Sequence, residues 1–322
     1  MLWMAQRIHP PAETRSPKPK YRVTNWPEYN RALASRGEVT LWLDAATVTG
    51  WRAEGGKGMR YSDAAILCAL CIRAAFRLPL RQTQGFLASF IRKIGLTIEV
   101  PHYSTIARRA AGLVVPRIAR SPGAGPVHLA IDSTGLKVYG EGEWKVRTHG
   151  ADKRRVWLKL QLAVDTATGE LLAHSLTPNA RHDGQELTGL LDAVEGPVAA
   201  VCGDGAYDGF ASHAASHARG ARPVIPPRKG AAITPPSNIE DPAPTRAEAV
   251  RRIIEIGRKA WKRETGYNRR SLAETAMGRY KGIIGPVLKS RTFPNQKTEA
   301  ATAVRCLNVF TGLGRPVSVK IA

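Results

Sequence analysis

Cysteine is scarce in this chain. Its 322 residues hold four, Cys68, Cys71, Cys202 and Cys306. Cys68 and Cys71 form a lone C-x2-C within an apolar run, and no second pair follows at zinc-site spacing. They read as core residues, and a reducing cytoplasm is expected. Acidic residues are also few: 26 Asp and Glu stand against 48 Lys and Arg, for a net charge of +22. That imbalance calls for a polyanionic partner. Nucleic acid is the first candidate, an anionic membrane surface the second and a ribosomal role the third. No run of about 20 apolar residues exists, so no transmembrane helix is expected. The segment Met1–Arg7 lacks the anatomy of a signal peptide. No internal repeat is evident.

Residues 1–20 are basic and proline-rich. They read as a flexible arm, with either no task or a role in tracking a DNA backbone. Residues 21–120 read as mostly helical. Asn25 or Thr24 caps a first helix that ends at Gly37, and Glu38–Leu43 is expected to be a short strand. Ser62-Asp63 opens a helix with a broad apolar face from Ile66 to Phe76. Pro79 breaks the run, which restarts at Leu80. Ser104 is expected to cap a short third helix carrying Arg108 and Arg109. The order resembles a helix-turn-helix that sets these two arginines against DNA. A plain helical packing module, with both arginines solvated, gives the same pattern.

Ser121–Pro126 is small and turn-rich and marks a boundary. After it the pattern turns to strands. Val127–Ile131 is a central strand ending at Asp132. Lys137–Lys153, dense in glycine and basic residues, reads as a hairpin loop. Arg154–Asp165 and Glu170–Thr177 alternate and pair antiparallel. A helix opens at Arg181–Gly184 with Asp183 as its cap; His182 reads as structural or as a neighbour of a metal site. Val198–Val201 is a fourth strand, ending at Asp204. Another helix opens at Tyr207-Asp208, with Asp208 as cap. Arg222–Pro227 is an edge strand, residues 230–247 are expected to be loop, and Glu248–Lys281 is helical and very basic, with Gly266 as a candidate break before Tyr267. Phe293–Gln296 starts the last helix, which runs on from Lys297 to about Phe310.

Within that basic stretch, Tyr267, Arg270, Glu274 and Lys281 fall at i, i+3, i+7 and i+14. On a helix they share one face. One carboxylate among fixed bases suits a metal ligand beside phosphates. A surface helix laced with charge pairs gives the same spacing.

The four residues match at every interval the Tyr-x2-Arg-x3-Glu-x6-Lys signature of bacterial insertion-sequence transposases. With Ile131–Thr134 and Asp204–Asp208, the chain resembles the DDE transposases of insertion-sequence family five and its neighbour, family four. The resemblance implies an α/β protein. A ribonuclease-H-like catalytic domain over 127–322, with a mixed five-stranded sheet and flanking helices, would follow a helical DNA-binding domain. It implies that Asp132, Asp204 and Glu274 hold two Mg²⁺ ions, for which Mn²⁺ may substitute, and that Tyr267, Arg270 and Lys281 hold the terminal DNA strand. The implied activity is cutting and joining double-stranded DNA at terminal inverted repeats and at a target, by a homodimer bound to DNA near the nucleoid. A non-catalytic DNA-binding protein on the same scaffold is the alternative. A metal nuclease of resolvase type is a third reading, against which the Tyr-Arg-Glu-Lys pattern counts.

Overall fold

The computed structural model describes residues 20–53, 60–117, 120, 125–138, 157–228, 230–231, 233 and 245–321. The long glycine-rich hairpin expected between Lys137 and Lys153 lies mostly outside them, as does the expected N-terminal arm.

A mixed sheet forms the centre. Strand β2 (Val127–Val138) is flanked on one side by β3 (Trp157–Asp165), itself paired with β4 (Leu171–Pro178), all antiparallel. On its other side β2 runs parallel to β5 (Val198–Cys202), and β5 runs parallel to the edge strand β6 (Arg222–Val224). A two-residue strand, β7 (Val287–Leu288), joins the far end of β2 as a sixth member beyond the expected five. The chain is thus a mixed α/β protein, consistent with a ribonuclease-H-like domain.

Central strands buried on both faces need continuous apolar sequence rather than alternation. Val127, Leu129 and Ile131 of β2 pack on α6 (Leu187–Asp192), while Ala130 and Leu136 pack against the opposite layer. That layer holds α10 (Ser271–Arg279) and α11 (Phe293–Leu313). Ala273, Ala276 and Met277 give α10 an apolar face, which packs in one core with Leu162 and Val164 of β3. Asn308 of α11 clips the start of β4: its Oδ1 accepts from the Leu171 amide at 2.8 Å and its Nδ2 donates to the Leu171 carbonyl at 2.9 Å.

The N-terminal helices build a second core. These are α1 (Trp26–Ser35), α2 (Ala45–Thr49), α3 (Asp63–Ala75), α4 (Leu80–Lys93) and α5 (Tyr103–Ala110). Cys68 and Cys71 lie in that core with Cys306 and Phe310 of α11, as packing residues. Ser62 accepts from the Ala65 amide and caps α3. Arg77, between α3 and α4, holds a left-handed conformation (φ 55°), unusual for a non-glycine residue. From there its Nε donates to the Ile283 carbonyl at 2.7 Å, and its Nη2 donates to the Gly282 carbonyl.

Several local expectations are corrected. Val39–Leu41 is a 3₁₀ turn, not a strand. His102 rather than Ser104 caps α5. Helix α11 begins at Phe293 as expected, where Pro294 suits a first turn that needs no amide donor, and runs three residues past Phe310 to Leu313. The basic stretch is broken at Gly257 (φ 80°) into α8 (Thr245–Ile256) and α9 (Arg258–Glu264). Strand β1 (Lys20–Val23) pairs antiparallel with β8 (Ser318–Ile321), which joins the two ends of the described chain.

His174 on β4 supplies a pH test. Burial, and then Arg117, push its imidazole down to about 4 from the ordinary 6.5. Folding therefore favours the neutral ring. Between pH 6.5 and 4 the unfolded chain binds the extra proton, so this stabilisation is intact above 6.5 and is lost as pH falls towards 4. Urea melts of His174→Gln are expected to fall less steeply than wild type over that window. Parallel pH profiles would show that the buried ring contributes nothing.

Candidate active site

Strand register positions the first two acids. Ala130 of β2 pairs with Cys202 of the parallel β5. Asp132 and Asp204 each lie two residues further on and so stand level, Asp204 just past the end of β5, where parallel α/β sheets place ligands; Asp132 does not end its strand as expected, because β2 continues to Val138 in its pairing with β3. Asp204 initiates a 3₁₀ turn over Gly205–Tyr207, and its Oδ1 accepts from the Ala206 amide at 2.8 Å. Asp132 Oδ1 accepts from the Ser133 amide at 2.8 Å.

The third acid arrives from α10. The signature is not one uniform helix. Gly266, in the left-handed region (φ 72°), starts a 3₁₀ turn over Tyr267–Arg270; α10 follows, and Tyr280–Ile284 forms a π-helical turn. Arg270 closes the site: its Nη1 lies 2.9 Å from Asp132 Oδ2, and its Nη2 is paired with Glu274 Oε1. One guanidinium therefore couples two of the three carboxylates, with the planar fork that lysine lacks.

The electrostatics of Asp132 report all three acids. Burial raises its pKa most. The Ser133 amide and Arg270 oppose this, while Asp204 and Glu274 raise it further. Among the described residues no three Asp, Glu, His or Cys side chains are gathered closely enough to hold a metal ion as they stand. The donor set nevertheless fits a hard divalent cation. All three side chains are carboxylates, the donors such a cation takes, and Asp132 and Glu274 already share one cation, the guanidinium of Arg270.

Tyr267 is half-buried beside this group. Lys262 Nζ lies 4.9 Å from its ring centroid and Arg270 Cζ 6.0 Å from it. The Cys202 thiol, pushed up to about 11 mainly by burial, donates to the Tyr267 carbonyl at 3.6 Å, tying the signature to the end of β5. Lys281 sits in the π turn, partly exposed and without an acidic partner among the described residues. Arg108 is exposed on α5, whereas Arg109 is engaged within the helical region: it pairs with Asp63 and donates to the Tyr61 carbonyl at 2.7 Å.

A further polar group lies behind the acids. Asp183 does not cap a helix; His182 caps the 3₁₀ turn Asp183–Glu186 instead. The Asp183 carboxylate pairs with Lys159 Nζ at 2.8 Å and accepts from Ser133 Oγ at 3.1 Å. Fully buried Gln161 donates to it at 3.5 Å and accepts from the Tyr207 hydroxyl at 3.4 Å. Asp208, also expected to cap, forms a buried pair with Arg246 instead.

Residues 123–309, more than half of the chain, match a family model described as a transposase DDE domain, and residues 34–141 match a second model of the same description. The chain belongs to the DDE transposase family. Membership carries DNA transposition and recombination, and supports an insertion-sequence transposase. Both halves of this transposase fall under such models, the helical N-terminal region included. No solved structure matches the chain.

Proposed function

We propose that this transposase cuts and joins DNA at the ends of an insertion sequence of the family-five group, by metal-assisted phosphoryl transfer. The observation that carries the reading is the level position of Asp132 and Asp204 on adjacent parallel strands, with Glu274 reaching the same place through Arg270. These three acids would hold the Mg²⁺ ions, or Mn²⁺ in their place. Bound there, the metal supplies Lewis-acid stabilisation at the phosphate and a more nucleophilic oxygen.

The protein's own groups do the positioning. Asp183, itself paired with Lys159, holds Ser133, and with it the stretch of β2 that carries Asp132. Arg270 balances the carboxylates and offers its fork to a phosphate. Tyr267 presents a ring beside the terminal strand, and Lys281 a point charge. An attacking water or 3′-hydroxyl oxygen forms the new P–O bond as the old P–O bond breaks, with in-line geometry set by these contacts. Two transposon ends must meet, so a homodimer on double-stranded DNA is the working form. Helices α3 to α5 would add DNA contacts through exposed Arg108. Among the described residues no helix is long and apolar enough to cross a membrane, and the proposed place of work is the bacterial cytoplasm, at the nucleoid.

The test is strand cleavage of a labelled duplex carrying the element's end, with Mg²⁺ or with EDTA. Metal-dependent cutting is expected. Binding without cutting under either condition would favour a non-catalytic DNA-binding protein on the same scaffold.

A further inference from the structure

A second cationic site lies away from the acids, where the N-terminal helices meet the start of α11. A cavity of about 580 Å³ opens there, and its walls carry Arg73, Arg81, Lys289 and Arg291. No acidic residue lines it among the described residues. The nearby carboxylate, Glu299, is already engaged: it accepts from the Lys289 and Ser290 amides at 2.9 and 2.8 Å and faces Arg73 Nη2 at 3.6 Å. Arg291 has no acidic partner among the described residues. Arg81 lies over the ring of Tyr103, with 4.5 Å between Cζ and the centroid.

Two buried polar atoms in the wall lack partners. The side chain of Arg73 is only 9% exposed, yet its Nε makes no hydrogen bond, and Asn295 Oδ1 makes none either. Orphaned buried polar groups are costly and point to an unplaced partner. The first turns of two long helices, α4 and α11, also face the cavity, and neither has a side-chain cap on its amides. Donors and positive charge thus converge on a space much larger than one phosphate, beside an aromatic ring and one amide acceptor.

We infer that this cavity binds a strand of the DNA substrate. Backbone phosphates sit on Arg73, Arg81, Lys289 and Arg291, and a nucleoside lies against Tyr103 within reach of Asn295 Oδ1. The inference rests on the reading of the chain as a DNA-acting enzyme, but the site is independent of the metal-binding acids.

The experiment uses the full-length protein and fluorescence anisotropy of a labelled duplex carrying the element's end, across a salt series. Arg81→Ala/Arg291→Ala removes two exposed charges and leaves the cores intact, which circular dichroism checks. Arg92→Ala, an exposed arginine at the far end of α4, is the control. The double variant should bind more weakly, and its slope of log K against log salt should be shallower by about 1.8, or about 0.9 for each lost phosphate contact. The control should match wild type. Wild-type affinity and slope in the double variant would overturn the site. A second arm titrates inorganic phosphate and follows the melting temperature. Stabilisation of wild type alone, with duplex binding unchanged in the variant, would make this a small-anion site and overturn the nucleic-acid assignment. Cleavage is read in parallel. Weaker binding by the variant with no cutting by wild type would sink the transposase mechanism and keep the site; cutting with unchanged binding would do the reverse.

Discussion

Glu274→Gln is expected to abolish strand cleavage while leaving DNA binding intact. Glutamine keeps the length and shape of the side chain, and its carbonyl still accepts from the guanidinium of Arg270, which Glu274 engages in the resting site. The fold should therefore hold: Glu274 is exposed, and the face of α10 that packs on the sheet belongs to Ala273, Ala276 and Met277. What disappears is one of three negative charges that would grip the metal. Metal stabilisation of the transferring phosphoryl group is worth several kcal/mol, so the rate of cutting should fall by at least about 10³. Binding should stay level or tighten slightly, because one carboxylate no longer repels the DNA phosphates. Single-turnover cleavage and anisotropy on the same protein separate the two. A variant that cuts within about tenfold of wild type would remove Glu274 from the catalytic set.

Glu274 was singled out by the resemblance of its spacing to the transposase signature, and the two aspartates by the apolar runs before them. Each aspartate closes a short apolar run, and a strand buried on both faces leaves little else for such a run to be. The partners behind them were not legible. Asp183 and Asp208 both stand where a helix is about to begin, and an acid there reads by default as a cap. Their actual partners, Lys159 and Arg246, come from other elements, and no local pattern announces them. The signature itself showed the opposite limit. Its residues were expected to share one uniform helix, whereas a 3₁₀ turn carries Tyr267 and Arg270 and a π turn carries Lys281. π turns inside helices recur at functional positions, and nothing in Tyr280–Ile284 marks one by composition. The ribbon of β1 and β8 escaped for the same reason as the ion pairs: each strand is exposed and mixed in character, and its partner lies at the other end of the chain.

Asp208→Ala is expected to cost about 3–5 kcal/mol of stability, the range for leaving one charge of a buried pair uncompensated. Arg246 Nε meets Asp208 Oδ1 at 2.7 Å and its Nη2 meets Oδ2 at 3.2 Å, with the two side chains 9% and 1% exposed. The guanidinium also lies 4.7 Å from the Phe210 ring centroid. Without Asp208 that arginine stays buried and loses the carboxylate that meets both Nε and Nη2. The loss reaches the active site as well. Asp208 Oδ2 accepts from the Arg228 amide at 2.9 Å, and Arg228 Nε donates to the Gly205 carbonyl at 3.1 Å. This chain of contacts braces the turn that carries Asp204, so cleavage should fall even at temperatures where the variant is folded. A double variant, Asp208→Ala/Arg246→Met, decides the cause. Replacing a whole buried pair with apolar groups is often close to neutral, so urea denaturation should show most of the lost stability restored. Cleavage should stay low, because methionine restores packing but not the contact to the Arg228 amide. Recovery of both would mean that the pair contributes only to the core, and recovery of neither that the damage lies in the backbone around Asp208.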